Sequence, residues 1–301
     1  ALPIFRILKS SVSCTVRLNE LMSGHTSFKI GGPADILVLP ESIEQLREVL
    51  KVVKETVVPL TLLGNGSNVL VRDKGIRGIV IKLGNMLRHF YEAEDLLVFG
   101  SGYSLALASY KAMECGRTGM EFAVGIPGSI GGAVYMNAGA YDGEMQNIVN
   151  CVKVMDLQGN ERVLTAEELN FGYRKTSLQN SGLIVTEVTL KMPSGNKDEI
   201  KSKMDDFSHR RISKQPLEMP SAGSMFKRPP GYFAGTLIDQ AGLKGYTVGG
   251  AQISTKHAGF VVNVGGATAA DVLQLIKDVQ TKIKAGVGVE LQPEVLVIGE
   301  E

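Results

Sequence analysis

Residues 58–73 read VPLTLLGNGSNVLVRD: an apolar run reaches Leu63, breaks into Gly64-Asn65-Gly66-Ser67-Asn68, and resumes at Val69-Leu70-Val71. A hairpin between two such runs needs only two turn residues, commonly Asn-Gly. Here the break is five residues long, all small or amide-bearing. The excess is general, because glycine supplies 35 of 301 residues, against an average of about 7%. The glycines concentrate at 64–66, 100–102, 116–143 and 242–266, with no fixed period. A collagen-like repeat is therefore excluded, and the 44% hydrophobic content excludes a disordered chain. Glycines in such a chain serve tight turns or close backbone approach.

The segments around the break read as alternating helices and strands. Residues 34–40 predict a strand. Ser42 and Gln45 have capping-box spacing, and Ile43, Leu46, Val49, Leu50 and Val53 share one helical face. Short strands follow over 58–63, 68–71 and 78–83, giving a β-α-β-β unit. A second unit begins with a strand at 95–100 and a helix that Gly116 ends. It passes through the glycine stretch 125–143 to strands near 149–157 and 162–165. Thr165 and Glu168 predict a further short helix, and a strand over 183–192 closes the unit. Composition shifts at PSGNKDEI (193–200), a boundary to a third unit. That unit holds a polar helix ending before Pro216, a Pro/Gly/Ser-rich stretch (216–235) and an amphipathic helix with apolar residues at 272, 275, 276, 279 and 283. Gly286 is the expected stop of that helix. The last strand lies in VELQPEVLVIG, where Pro293 points to an edge or bulge position.

Charge excludes some partners. With 32 basic and 31 acidic residues the net charge is +1, unlike the basic stripe of a nucleic-acid binder. No apolar stretch approaches the roughly 20 residues of a membrane span, and the first residues do not make a signal peptide. Cys14, Cys115 and Cys151 form no CxxC and are expected to be reduced and buried. His25, His89, His209 and His257 lack ligand spacing, so no metal site is expected.

Two glycine loops are candidate ligand cradles. Gly64-Asn65-Gly66 starts like a dinucleotide fingerprint, but Val69 stands at the third glycine and the following residues are strand-forming, which excludes a Rossmann site. Successive backbone N–H groups in such a turn can instead form an anion-binding nest, with Ser67, Asn65 and Asn68 adding donors. An irregular β-connection explains the same residues. The second loop, EFAVGIPGSIGGAVYMNAGAYDGE (121–144), sets Gly125, Gly128, Gly131, Gly132, Gly139 and Gly143 among residues that want burial, such as Ile126, Ile130, Val134 and Tyr135. Two such loops suit a ligand with a central pyrophosphate and a ring at one end. Close helix–strand packing is the alternative.

Six stretches then occur in a telling order: SFKIGGPAD (27–35), GNGSNVLV (64–71), GIPGSIGGAVYMNAGAY (125–141), FGYRKTS (171–177), PSAGSMFKRP (220–229) and QPEVLVIG (292–299). Together they resemble the UDP-N-acetylenolpyruvoylglucosamine reductase family along nearly the whole chain. The resemblance implies an α+β fold: a two-subdomain FAD-binding module of the vanillyl-alcohol-oxidase type and a C-terminal α+β substrate-binding domain. The expected divisions are 1–84 and 85–194 for the flavin module, with 289–301 returning to the first subdomain, and 195–288 for the substrate domain. Only the short link SLQNSG separates Tyr173-Arg174 from the 183–192 strand, so the chain resembles the type without an extra tyrosine loop.

The function implied is a cytoplasmic enzyme of peptidoglycan precursor synthesis. NADPH would reduce non-covalent FAD, and the enolpyruvyl group of UDP-N-acetylglucosamine enolpyruvate would accept the hydride. No protein partner is implied. The FAD-binding residues implied are Gly64, Asn65, Gly66, Ser67 and Asn68, with Gly125, Ile126, Pro127, Gly128, Ser129, Gly131, Gly132 and Ala133. Arg174, Ser224 and Glu294 match the catalytic positions. Read without the family, Arg174 is a surface arginine, Ser224 a turn residue and Glu294 one side of an alternating strand. Substrate contacts are expected from Tyr173, Lys214, Lys227, Arg228 and Gln252. The family commonly has asparagine where Arg228 stands and near Gly259. Rival readings are another FAD oxidase of this fold, acting on an alcohol or lactone, and a flavin-free nucleotide-sugar binding protein.

Overall fold

The computed structural model describes residues 1–84 and 86–301; Asn85, the first residue of the expected second subdomain, lies outside them. In chain order, α1 (Leu2–Ser11) precedes β1 (Thr15–Leu21), β2 (Pro33–Leu39), α2 (Ile43–Thr56), β3 (Leu60–Leu63), β4 (Val69–Val71) and β5 (Ile76–Lys82). Next come β6 (Phe90–Ala93), β7 (Leu96–Gly100), α3 (Leu105–Glu114), α4 (Ile130–Tyr135), β8 (Gly139–Ala140), β9 (Gly143–Glu144), β10 (Val149–Met155), β11 (Glu161–Thr165), β12 (Ile184–Lys191) and α5 (Lys197–Lys214). The chain ends with β13 (Ser221–Ser224), α6 (Ala234–Gln240), β14 (Thr247–Val248), β15 (Ala251–Ile253), β16 (Phe260–Asn263), α7 (Ala269–Val287) and β17 (Leu296–Ile298).

The chain divides into two compact units. The first comprises Ala1–Leu18, Ile36–Asn65 and Gly78–Arg210; the second comprises Asn19–Asp35, Gly66–Arg77 and Arg211–Glu301. One division thus falls inside the five-residue break, between Asn65 and Gly66.

The first unit has two main cores. Around α2, Leu46, Val49, Leu50 and Val53 pack on Ile36, Val38, Ile79 and Ile81, with Leu8 of α1 beside them. Each fully buried aliphatic side chain contributes roughly 1.5–3 kcal/mol. The strands there lie in a sheet of order β1-β2-β5-β3, with β3 and β5 parallel. The second core belongs to an antiparallel sheet of order β11-β10-β12-β7-β6. Leu97, Phe99, Val152 and Val188 meet Leu105 and Ala108 of α3 and Ile130 and Val134 of α4 there.

In the second unit, β13-β16-β15-β14 form an antiparallel sheet packed on α6 and α7. Ala251, Ile253 and Val261 bury against Val272, Leu275, Ile276 and Val279. β17 runs parallel to β4, pairing Leu296 with Val69, Val297 with Leu70 and Ile298 with Val71.

Local chemistry sets the helix ends. Ser42 Oγ accepts the Gln45 N–H at 3.2 Å, as its spacing predicts, while the Gln45 side chain accepts from Glu41 at 2.7 Å. α7 carries a full capping box between Thr268 and Asp271, and Asp73 accepts the N–H groups of Ala269 and Ala270 at 2.7 and 2.9 Å. Such carboxylates suit the positive end of a helix. α7 runs past Gly286, contrary to expectation, and ends at Gly288 in the left-handed region; glycine within a helix costs only about 1 kcal/mol, against the packing of the helical residues before it.

Three other expectations are corrected. The Thr165–Glu168 box forms both of its bonds, at 2.8 and 3.3 Å, yet encloses turns rather than a helix. A cap satisfies end groups but does not supply the propagation that a helix needs. The cysteines are free but only half-buried. The final strand is confined to Leu296–Ile298, and Pro293 makes an isolated bridge with Phe226 instead.

Candidate active site

Within the first unit, the two glycine loops approach each other. A Cβ built on Gly64 would lie 3.5 Å from Ser129 Oγ, an ordinary contact. Ser129 caps α4 by accepting the Gly132 N–H at 3.3 Å. Gly125, Pro127 and Gly132 are exposed, Ile126 and Gly128 are half-buried, and Ala133 is buried. Gly125 and Gly128 have φ of 72° and 126°, values that favour glycine.

Not every glycine here faces outward. Gly131 gives its N–H to Ser101 O, and a Cβ on it would come within 2.8 Å of Ser101 Cβ. Its small size serves packing. Gly66, in the second unit, has φ 69°, and its Cβ would fall 2.4 Å from His25 O. The chain's own backbone therefore demands glycine at 66. Gly66 O accepts the Ser27 N–H at 3.0 Å, which fixes the turn further.

The second unit brings Ser224 and Glu294 onto neighbouring segments. Ser224 ends β13 and is exposed; Glu294 is half-buried. The Glu294 N–H donates to Met225 O at 2.8 Å, and the Lys227 N–H to Gln292 O at 2.8 Å. Residues 225–227 and 292–294 thus run side by side. Asn68 joins them: its Nδ2 reaches Glu294 O at 3.5 Å, and its carbonyl accepts the Leu296 N–H at 3.0 Å. Ser67 is half-buried beside it.

Arg174 belongs to the first unit. It sits in a two-residue turn, Tyr173-Arg174, closed by reciprocal backbone bonds between Gly172 and Lys175. Its φ is 53°, an uncommon conformation for a non-glycine residue. The guanidinium donates to Asn137 O at 3.3 Å and Gly139 O at 3.1 Å, and lies 5.0 Å from the centre of the half-exposed Tyr173 ring.

The other expected contacts lie in the second unit. Arg228 is exposed and stacks 4.0 Å over Phe233. Lys227 is half-buried, Lys214 ends α5, and Gln252 in β15 donates to Thr247 Oγ1 at 3.0 Å. His257 is one of the four histidines that lack ligand spacing in the sequence. It is half-buried, its Nδ1 accepts the Gly259 N–H at 3.0 Å, and burial holds its pKa below the usual histidine value. No group of metal-ligating residues is found among the described residues.

Known proteins bear on this arrangement. Residues 34–165 match the family described as an FAD binding domain. Residues 215–298 match the one described as the C-terminal domain of UDP-N-acetylenolpyruvoylglucosamine reductase. The reductase of that name from Clostridioides difficile is 49% identical over 286 residues, covering 95% of this chain and 94% of the relative. The one from Caldanaerobacter subterraneus is 48% identical over 284 residues, 94% of each chain. The crystal structure of UDP-N-acetylenolpyruvylglucosamine reductase from Thermus caldophilus superposes with a TM-score of 0.79 at 38% identity, covering 94% of this chain and 98% of that one. Near-identity of length, half of all residues shared and both parts matched leave one conclusion: the chain belongs to the UDP-N-acetylenolpyruvoylglucosamine reductase family.

Proposed function

We infer that this chain reduces the enolpyruvyl group of UDP-N-acetylglucosamine enolpyruvate to UDP-N-acetylmuramate, a step of peptidoglycan precursor synthesis, using FAD with NADPH as the hydride donor. The relationship at about half identity along nearly all of both chains carries this reading. Reduced thiols at Cys14, Cys115 and Cys151 suit a cytoplasmic site of action. No helix among the described residues is long and apolar enough to cross a membrane.

The glycine loops fit the cofactor. The space a Cβ would occupy at Gly64 and Gly132 meets only Ser129 Oγ, at 3.5 and 3.3 Å, so the backbone there is uncovered by other side chains. We assign the flavin to Gly64, Asn65, Gly66, Ser67 and Asn68 and to Gly125–Gly128, Ser129 and Gly131–Ala133. The flavin module would comprise 1–84 and 85–194 with 289–301, and the substrate domain 195–288. FAD held by these residues would supply the hydride chemistry between NADPH and the alkene.

Hydride addition to one alkene carbon leaves negative charge on its neighbour, shared with the attached carboxylate. Arg174 would meet that charge with its planar donor fork. Its two carbonyl bonds hold the fork in place before substrate arrives, the preorganisation such stabilisation needs. Ser224 Oγ would donate the completing proton, and Glu294 would hold or share a proton beside it. Lys214, Lys227, Arg228, Gln252 and Tyr173 would take the nucleotide sugar, the cations serving its diphosphate.

Ser224→Ala separates the two halves of the reaction. In anaerobic stopped flow, NADPH should bleach the variant's flavin at nearly the wild-type rate, while reoxidation by the enolpyruvyl substrate slows by about 10²–10³-fold. Equal slowing of both phases would remove Ser224 from the proton-donor role.

A further inference from the structure

The left-handed turn that carries Arg174 is unfavourable by about 1–2 kcal/mol for a residue with a Cβ. Such a conformation persists only when its surroundings over-determine it. Two buried or half-buried amides do this. Asn137 is 0% exposed and itself left-handed, with φ 43°. Its Oδ1 accepts the Gln146 N–H at 3.0 Å, and its Nδ2 donates to Glu144 Oε2 at 3.1 Å and to Gly172 O at 3.0 Å. Both amide protons and the carbonyl are thus engaged, and one of those protons fastens the entry of the Tyr173-Arg174 turn. Gln179 fastens the exit: its Nε2 donates to Arg174 O at 3.1 Å and to Tyr135 O at 3.2 Å. The main-chain carbonyl of Asn137 is also one of the two acceptors that hold the guanidinium.

We propose that Asn137 and Gln179 form an amide clamp that positions Arg174: they touch no substrate, but they set the backbone geometry from which its guanidinium reaches the developing charge. Only an amide suits position 137. Aspartate would lose both donors and face the Glu144 carboxylate, and a hydrophobic side chain would leave the Gln146 N–H without its partner and Gly172 O with only the Lys175 N–H. The proposal rests on the role given to Arg174 above.

The test compares holoenzymes: wild type, Asn137→Ala, Arg174→Ala and the double variant. The saturating rate of flavin reoxidation by the enolpyruvyl sugar nucleotide should fall about a hundredfold in Asn137→Ala, the cost of a misplacement near 1 Å. The half-saturating substrate concentration should move only a few-fold. The double variant should be no slower than Arg174→Ala alone. A second readout does not depend on turnover: in the resting protein, the ¹⁵N-guanidinium signals of Arg174, assigned by their loss in Arg174→Ala, should shift and gain rotational averaging in Asn137→Ala. If Asn137→Ala does not fold, Gln179→Leu is measured in its place, with the same expectations. A folded, flavin-loaded clamp variant that reoxidises at the wild-type rate would overturn the clamp and leave the role of Arg174 standing. If Arg174→Ala itself reoxidises normally, the role of Arg174 falls, and the clamp falls with it.

Discussion

At the residue scale, glycine has two distinct uses in this chain, and a substitution can tell them apart. Gly66 is required by the fold: its positive φ and the nearby His25 carbonyl leave no room for a side chain. Gly64 is not so required, because a Cβ there meets only Ser129 Oγ at van der Waals distance. Gly64→Ala should therefore keep the unfolding free energy of the flavin-free protein within about 0.5 kcal/mol of wild type, yet lose flavin during gel filtration. Gly66→Ala should unfold earlier whether or not flavin is present. Equal flavin retention by Gly64→Ala and wild type would exclude the 64–65 backbone from the cofactor. The sequence shows that glycines cluster but not which of these uses each one serves. That depends on a residue far away in the chain, His25 for Gly66 and Ser101 for Gly131. The Asn137 amide is hidden for the same reason: it is one polar residue in an otherwise apolar and glycine-rich run, and its partners at 144, 146 and 172 become visible only in space. Ser224 and Glu294 are singled out only by the family resemblance of the stretches that hold them; read alone they are a turn residue and one side of a strand.

At the scale of elements, the amphipathic helix α2 is legible because apolar spacing and the Ser42 cap agree, and α7 is legible by its apolar spacing, though not by its end. The β13–β16 sheet is not. Its strands are two to four residues long and lie among glycines and prolines, too short for alternation to register. α4 is hidden likewise, since six residues containing two glycines have little helical propensity; Ser129 and packing on α3 and β12 maintain it. α2 also carries an unfavourable end. Its C-cap, Val57, is left-handed at φ 50° and 87% exposed. A β-branched residue there is strained, while glycine is the usual choice. Val57→Gly should stabilise the protein by about 0.5–1 kcal/mol, the relief of left-handed strain less the extra freedom that glycine gives the unfolded chain. A lower denaturant midpoint in Val57→Gly would show that the exposed valine makes a contact that outweighs its strain.

At the scale of the molecule, the first unit carries Gly64, Asn65, the 125–133 loop and Arg174, and the second carries the 66–68 turn, Ser224 and Glu294. The five-residue break therefore belongs to both units in sequence, with the division between Asn65 and Gly66. The whole assignment reduces to one exchange of electrons that can be watched by colour. Under anaerobic conditions the purified protein should carry flavin absorbance. One equivalent of NADPH should bleach it, and one equivalent of UDP-N-acetylglucosamine enolpyruvate should restore it with formation of UDP-N-acetylmuramate. A protein that binds the sugar nucleotide but stays colourless after incubation with FAD, or one whose bleached flavin recovers only when oxygen is admitted, would contradict it.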